Sequence, residues 1–464
     1  MKQSTIFLLL IIVFNSCSQT KVQHDYLIAD INVIDVRDGN IITNRWIGID
    51  SNRITKIYSK KVIPSESTIT VKGDSKFLIP GLWDMHSHYH RTYNESAPFY
   101  IANGVIGLRD MHGDMVIINW IREDMKSDKF VGPVIFSSGA VINDYFAPLS
   151  EVSTDIATDS VTAVEIVIKQ KAEGVDFLKI YSHLNREAYF AIAKQTKKMN
   201  LDFCGHIPES ISAFEAILSG QKSIEHNLGL LEATSTGSDT IIEYIQSKRT
   251  PKPIVPSWRA KFYDFLIESH SEVLFDSLVN ELANSNTWLC PTMVAIEGIA
   301  YQAEDSFRND YRNKYIPQEI LDYLVNSFNN SDTAMVSAMR RRYEFEKSLL
   351  KKMINGGVKF LAGTDYICVH VYPGFSLHDE LKIFNEAGFS TLQALQTATL
   401  NPAIYLNKLA DYGTVEESKV ASLVILNSNP LQNIENTKDI ESVFLGGKYF
   451  SKCDIDSLLN TPVY

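Results

Sequence analysis

The sequence predicts an α/β protein: a (β/α)8 TIM-like barrel inserted into a small β-sandwich domain that both chain ends build. Three observations carry this. Over residues 79–404, eight short apolar runs alternate with stretches of helical periodicity. Residues 26–78 instead alternate apolar and polar side chains between turn signals such as Asp38-Gly39-Asn40. The same alternation returns in residues 405–464, as in Ala421–Leu426 and Ser442–Phe450.

The composition agrees. The 464 residues suit a barrel with an attached domain, and a 45% hydrophobic content excludes global disorder. The net charge is −11, so the basic face that a nucleic-acid binder needs is not expected.

The N-terminus reads as an address. Lys2 precedes nine unbroken apolar residues, Ile6 to Phe14, too few to span a bilayer but right for a signal-peptide core. Ser16-Cys17 then resembles a bacterial lipobox. Residues 1–16 are expected to be the signal peptide, Cys17 the lipidated residue and residues 17–25 a tether. That makes the chain a lipoprotein of a bacterial cell envelope, periplasmic or on the outer membrane, touching a membrane only through its lipid. The expected partner is a small-molecule substrate, and a homo-oligomer is compatible with the sequence. The other cysteines, Cys204, Cys290, Cys368 and Cys453, form no C-x-x-C pair. They read as buried free thiols rather than a disulfide framework or a zinc site.

The eight barrel runs are Gly81–His88, Gly104–Met111, Gly132–Gly139, Val175–Tyr181, Leu201–His206, Ser223–His226, Trp288–Met293 and Lys359–Asp365. Helices are predicted over Asn185–Met199 and Ser376–Ala387. The connections after the sixth and seventh runs are long and helical, and such loops shape the pocket of a barrel.

Five of the eight runs end in ionisable side chains. The first ends Asp84-Met85-His86-Ser87-His88. Residues two apart on a strand face the same way, so both imidazoles point into the barrel mouth. The fourth carries Lys179 in an otherwise apolar strand, where an ammonium is costly to bury. The fifth ends at His206, the sixth at His226 and the eighth at Asp365. Active sites of barrel enzymes lie at the strand C-termini. Four histidines, one aspartate and one lysine there can hold two metal ions.

This pattern, with Phe77-Leu-Ile-Pro-Gly-Leu-Trp-Asp-Met-His-Ser-His88 at its start, resembles the amidohydrolase superfamily. The branch it is similar to holds imidazolonepropionases, metal-dependent prolidases and Xaa-Arg/Lys dipeptidases. Gly205-His-Ile-Pro208, Gly220-Gln-Lys-Ser-Ile-Glu-His226, Ala394-Leu-Gln-Thr-Ala-Thr399 and Asn401-Pro-Ala403 extend the match. The resemblance implies that His86, His88 and Asp365 bind one divalent ion, and His206 and His226 a second. It implies a CO2-derived carbamate on Lys179 bridging them, with a metal-bridging hydroxide as nucleophile and Asp365 as proton carrier. Zinc suits the histidine-rich set; manganese, iron or cobalt also fit. The activity implied is cleavage of a C–N amide bond in a dipeptide or N-acyl amino acid.

Tyr181 and His183 follow Lys179, His90 follows the His86 and His88 pair, and Arg109 ends the second run, so each is a candidate to contact substrate. Arg109 and Asp110 suit a structural ion pair equally well. Arg340, Arg341 and Arg342 read as a solvated helix face. Three alternatives stand beside the amide hydrolase. One is a hydrolase of cyclic amides or lactones. Another is a mononuclear deaminase using Glu209, three residues after His206, although such deaminases lack the bridging lysine. The last is a catalytically inactive envelope binding protein.

Overall fold

The computed structural model describes residues 21–144, 153–237, 240, 243, 258–329 and 333–463. The signal peptide, Cys17 and the first part of the tether lie outside the described residues. Among those described, no helix is long and apolar enough to cross a membrane.

All eight apolar runs contain a parallel strand. Leu82–Ser87, Val105–Asp110 and Val134–Ser137 form one sheet. Leu178–Ile180, Phe203–Gly205, Ser223–Glu225, Trp288–Cys290 and Lys359–Phe360 follow one another in a second. Backbone hydrogen bonds join the two sheets at both seams. Met85 N–H donates to Ala362 O, and Asp176 N–H donates to Ser137 O. The third run differs from expectation, because a short strand, Val141–Asn143, follows it and pairs with Leu178–Ile180.

Most strands are shorter than the apolar runs that announced them. The last residues of a run leave the ladder to present side chains to the mouth. His226 and Asp365 do so through left-handed backbone, each with φ of 60°. That conformation is uncommon for a residue with a Cβ and persists only where the surroundings enforce it.

The helices follow local rules. Arg186–Met199 starts at Asn185, whose side chain accepts from Ala188 N–H, and stops at Asn200 in left-handed conformation. It buries Tyr189, Ile192 and Thr196, spaced three and four apart. Phe375–Glu386 packs Leu377, Leu381 and Phe384 inward in the same way. The connection after the sixth strand carries Trp258–Glu268 and Glu272–Asn284. The connection after the seventh carries Met293–Tyr301, Gln318–Asn329 and Thr333–Asn355.

Eight strands of the two chain ends share one sheet, and Lys21–Val22 and Ile63–Pro64 pair apart from it. Phe77–Pro80 lies between Leu423–Leu426 of the C-terminal segment and Tyr26–Ile34 of the N-terminal one. The sheet curls until Ile54 N–H donates to Lys419 O. It encloses Ile28, Ile31, Ile47, Ile49, Leu78, Leu423 and Phe444. The strand Phe77–Pro80 leads directly into the first barrel strand, so this sheet anchors the strand that carries the His-x-His pair.

Candidate metal centre

The strand ends bring the predicted ligands into one cluster, with His86, Lys179 and His206 buried and His88, His226 and Asp365 partly exposed. His86 Nε2 lies 3.3 Å from Asp365 Oδ1 and 3.3 Å from Lys179 Nζ. His88 Nε2 stands 3.0 Å from the same Asp365 oxygen. The His226 ring lies 4.6 Å from that of His86 and 5.0 Å from that of His206. Ligand atoms of His86, His226 and Asp365 all fall within 4.8 Å of one another. Lys179 is 1% exposed and His86 fully buried.

A layer of partners holds these side chains. His86 Nδ1 is 2.8 Å from Glu225 Oε2, His206 Nδ1 is 2.7 Å from Ser182 Oγ, and His226 Nδ1 is 2.7 Å from Thr292 Oγ1. Three imidazoles are thus held through Nδ1, and His86 turns its Nε2 to Asp365 and Lys179. Histidine metal ligands are oriented in this way. Asp84 braces the first strand against the eighth: its carboxylate accepts from His86 N–H and from the N–H and hydroxyl of Thr364. The Cys368 thiol donates to Asp365 Oδ2.

The electrostatics suit metal ligation. Burial lowers the pKa of His88 to about 4 and that of His226 to about 3, and it pulls His206 well below the usual histidine range. All three are therefore neutral donors at physiological pH. Burial also lowers the Lys179 pKa, against the pull of Asp365 and Glu225. For Asp365 burial acts upward, but His226, His86 and His88 overcome it and hold the carboxyl well below its usual range. Neutral imidazoles around an ionised carboxylate and an amine-prone lysine fit divalent metal ions.

Arg109 is a correction. The structure places it beneath the cluster, fully buried. Its guanidinium donates to both oxygens of Glu225, to Ser223 Oγ and to Tyr405 OH. It holds Glu225, which holds His86, and so it positions a ligand rather than touching substrate. The basic run is a second correction. Arg340 and Arg341 pair with Glu304 and Asp264 at exposed positions. Arg342 is buried; it donates to Glu346 and to the backbone oxygen of His226. At 100° per residue the helix turns this third arginine inward.

The remaining candidates sit around the mouth. The Tyr181 ring lies 4.2 Å from that of His206. His183 Nδ1 is 3.3 Å from Glu209 Oε2, and Arg259 donates to the other Glu209 oxygen. His90 is buried against Asp110, with Nδ1 3.3 Å from Oδ1. The buried-thiol reading holds for Cys204 and Cys290, whereas Cys453 is exposed. Reading the chain for ligands missed Glu225, Ser182 and Thr292 as ligand supports. Glu225 had a signal: a carboxylate inside an apolar strand, directly before His226. Thr292 had none, since its partner is 66 residues away.

A cluster of this kind at the strand C-termini of an α/β barrel defines the candidate site of a metal-dependent hydrolase. The chain belongs to the amidohydrolase family, hydrolases of C–N bonds, whose profile matches residues 77–449. No curated protein matches it in sequence. Solved structures share its fold. A bottromycin amidohydrolase superposes with a TM-score of 0.72 at 17% identity, covering 93% of this chain and 88% of its own. A Xaa-Pro dipeptidase with methionine bound in its active site reaches 0.66 at 17% identity, covering 92% and 99%. The ochratoxinase of A. niger reaches 0.61 at 18% identity, covering 92% and 95%.

Proposed function

We propose that the chain is a binuclear metal hydrolase that cleaves the C–N bond of a dipeptide or N-acyl amino acid. The observation that supports this most is Lys179, buried among His86, Asp365 and the other imidazoles. A lysine there, far from bulk water, is too costly to serve packing alone. Burial in that setting lowers its pKa and so favours the neutral, nucleophilic amine. It adds to CO2, forms one N–C bond and loses one proton; the product is a carbamate that presents two oxygens. His86, His88 and Asp365 would hold one ion, His206 and His226 the second, and the Lys179 carbamate both. Divalent ions, zinc being best suited and manganese, iron or cobalt also compatible, supply a Lewis acid for the carbonyl and ionised water at neutral pH.

Asp365 carries the proton. Its carboxylate is kept ionised and is oriented by His88 and Cys368. It takes a proton from the attacking water and delivers it to the leaving nitrogen, so the C–N bond breaks with a neutral amine departing. Tyr181 beside His206, and His183 on Glu209, suit the recognition of the substrate carboxylate. The lipobox at Cys17 would tether this activity to the cell envelope.

A mass-spectrometric screen tests the reading. The chain from Ser18 onward, loaded with zinc or manganese, is incubated with mixed dipeptides and N-acyl amino acids. Product release by the wild type, reduced on the order of 10²- to 10⁴-fold in Asp365→Asn with metal retained, is expected. Equal turnover by the two proteins, or no release at all, contradicts it.

A further inference from the structure

A cavity opens beside the second pair of histidines. Ser182, which braces His206, lines it. So do Ile207, which follows His206, and Leu228, two residues after His226. The cavity therefore reaches His206 through Ser182, and its wall includes residues close to both histidines in the chain. Its walls are mainly apolar and include Phe214, Phe262 and Leu274.

Its charged groups are already engaged or prone to neutrality. Glu209 accepts from Arg259 at 3.1 Å and lies 3.3 Å from His183. Glu232, which also lines the cavity, has its pKa raised by burial, which favours the neutral acid. An anionic group entering here would be desolvated beside two carboxyl groups, and the guanidinium in the wall already serves one of them. A cationic group would find Glu209 compensated. A large apolar group gains the most, because it exchanges water for apolar walls.

We infer that this cavity is the side-chain subsite of the amide substrate, and that it selects aromatic or branched aliphatic side chains over glycine and over charged ones. The inference rests on the amide-hydrolase reading and adds the substrate class. Side chains on both sides of the scissile bond enter the test.

Two dipeptide series, Xaa-Gly and Gly-Xaa, with Phe, Leu, Gly, Glu or Lys at Xaa, compete for the zinc-loaded full chain. In one series Phe and Leu are expected to exceed Gly by at least about tenfold in kcat/KM, with Glu slowest. Leu274→Trp fills the cavity and should collapse the Phe-over-Gly ratio by about tenfold. Phe262→Ala enlarges it and should move the optimum toward Trp. Folding of both variants is checked by their melting transitions. Calorimetry on metal-loaded Asp365→Asn provides a readout without turnover: the Phe dipeptide of the preferred series binds more tightly than Gly-Gly. Hydrolysis with no apolar preference, or with a preference for Glu or Lys, overturns the subsite while upholding the hydrolase. Absent hydrolysis with a retained Phe-over-Gly binding preference overturns the hydrolase and upholds the cavity's selectivity. Absence of that binding preference overturns the subsite.

Discussion

The core of the chain-end sheet and the floor of the barrel mouth are both shut off from water, yet they are filled in opposite ways. The sheet encloses Ile28, Ile31, Ile47, Ile49 and Leu78, with no ionisable group among them. The mouth encloses Asp84, His86, Arg109, Lys179 and Glu225, each no more than 1% exposed. Apolar burial stabilises the fold by about 25 cal/mol per Å². Burying charges costs several kcal/mol per ion before pairing returns any of it. A fold seeking stability alone would fill the mouth as it fills the sheet. The difference teaches that the mouth is organised for chemistry, and that the sheet and the outer helices supply the stability this arrangement costs.

Substitutions on the two sides should separate those tasks. Glu225→Ala is expected to have the largest effect. It leaves the Arg109 guanidinium buried without its carboxylate and releases His86 Nδ1. Stability should fall by about 3–5 kcal/mol, and metal affinity about 10- to 100-fold. Thermal melts and metal titration measure the two losses; an unchanged metal affinity breaks the assigned positioning role.

Ile49→Ala probes the sheet. Ile49 is fully buried, so the cavity left behind should cost about 2–5 kcal/mol. The kcat of the protein that remains folded should not move. A large fall in kcat at full occupancy of the native state would remove the contrast.

The smallest effect concerns neither region. Glu215, on the outside of the barrel, has its pKa lowered to about 2 by the side-chain hydrogen bond from Arg186. A carboxyl depressed on folding stabilises above its unfolded pKa, near 4.5, and that stability is lost as pH falls toward 2. Its side chain is 34% exposed, so the contribution is discounted to about 1 kcal/mol. Melting curves across that window should show Glu215→Gln losing less stability than the wild type. Parallel curves would contradict the assignment.

The contrast was partly legible in the sequence. Each ligand was visible because it interrupts or ends an apolar run, and an ionisable side chain in such a place has few structural uses. The ligand supports were far less visible. Ser182 and Thr292 are common loop residues whose partners are set by cross-strand register rather than by neighbours in sequence. Arg109 was ambiguous for a related reason. It ends its strand as a substrate clamp would, and only the fold, which sets it against a strand it does not pair with, brings it onto Glu225. Arg342 was misread because three consecutive arginines look solvated, while one of every three or four helical positions must face inward.

Metal content of the purified chain tests the central claim most directly. Two divalent ions per chain are expected in the wild type after dialysis. At most one is expected in Lys179→Met, a variant of similar length that cannot take up CO2. One ion or none in the wild type, or an unaltered content in Lys179→Met, would contradict the bridging role given to the buried lysine.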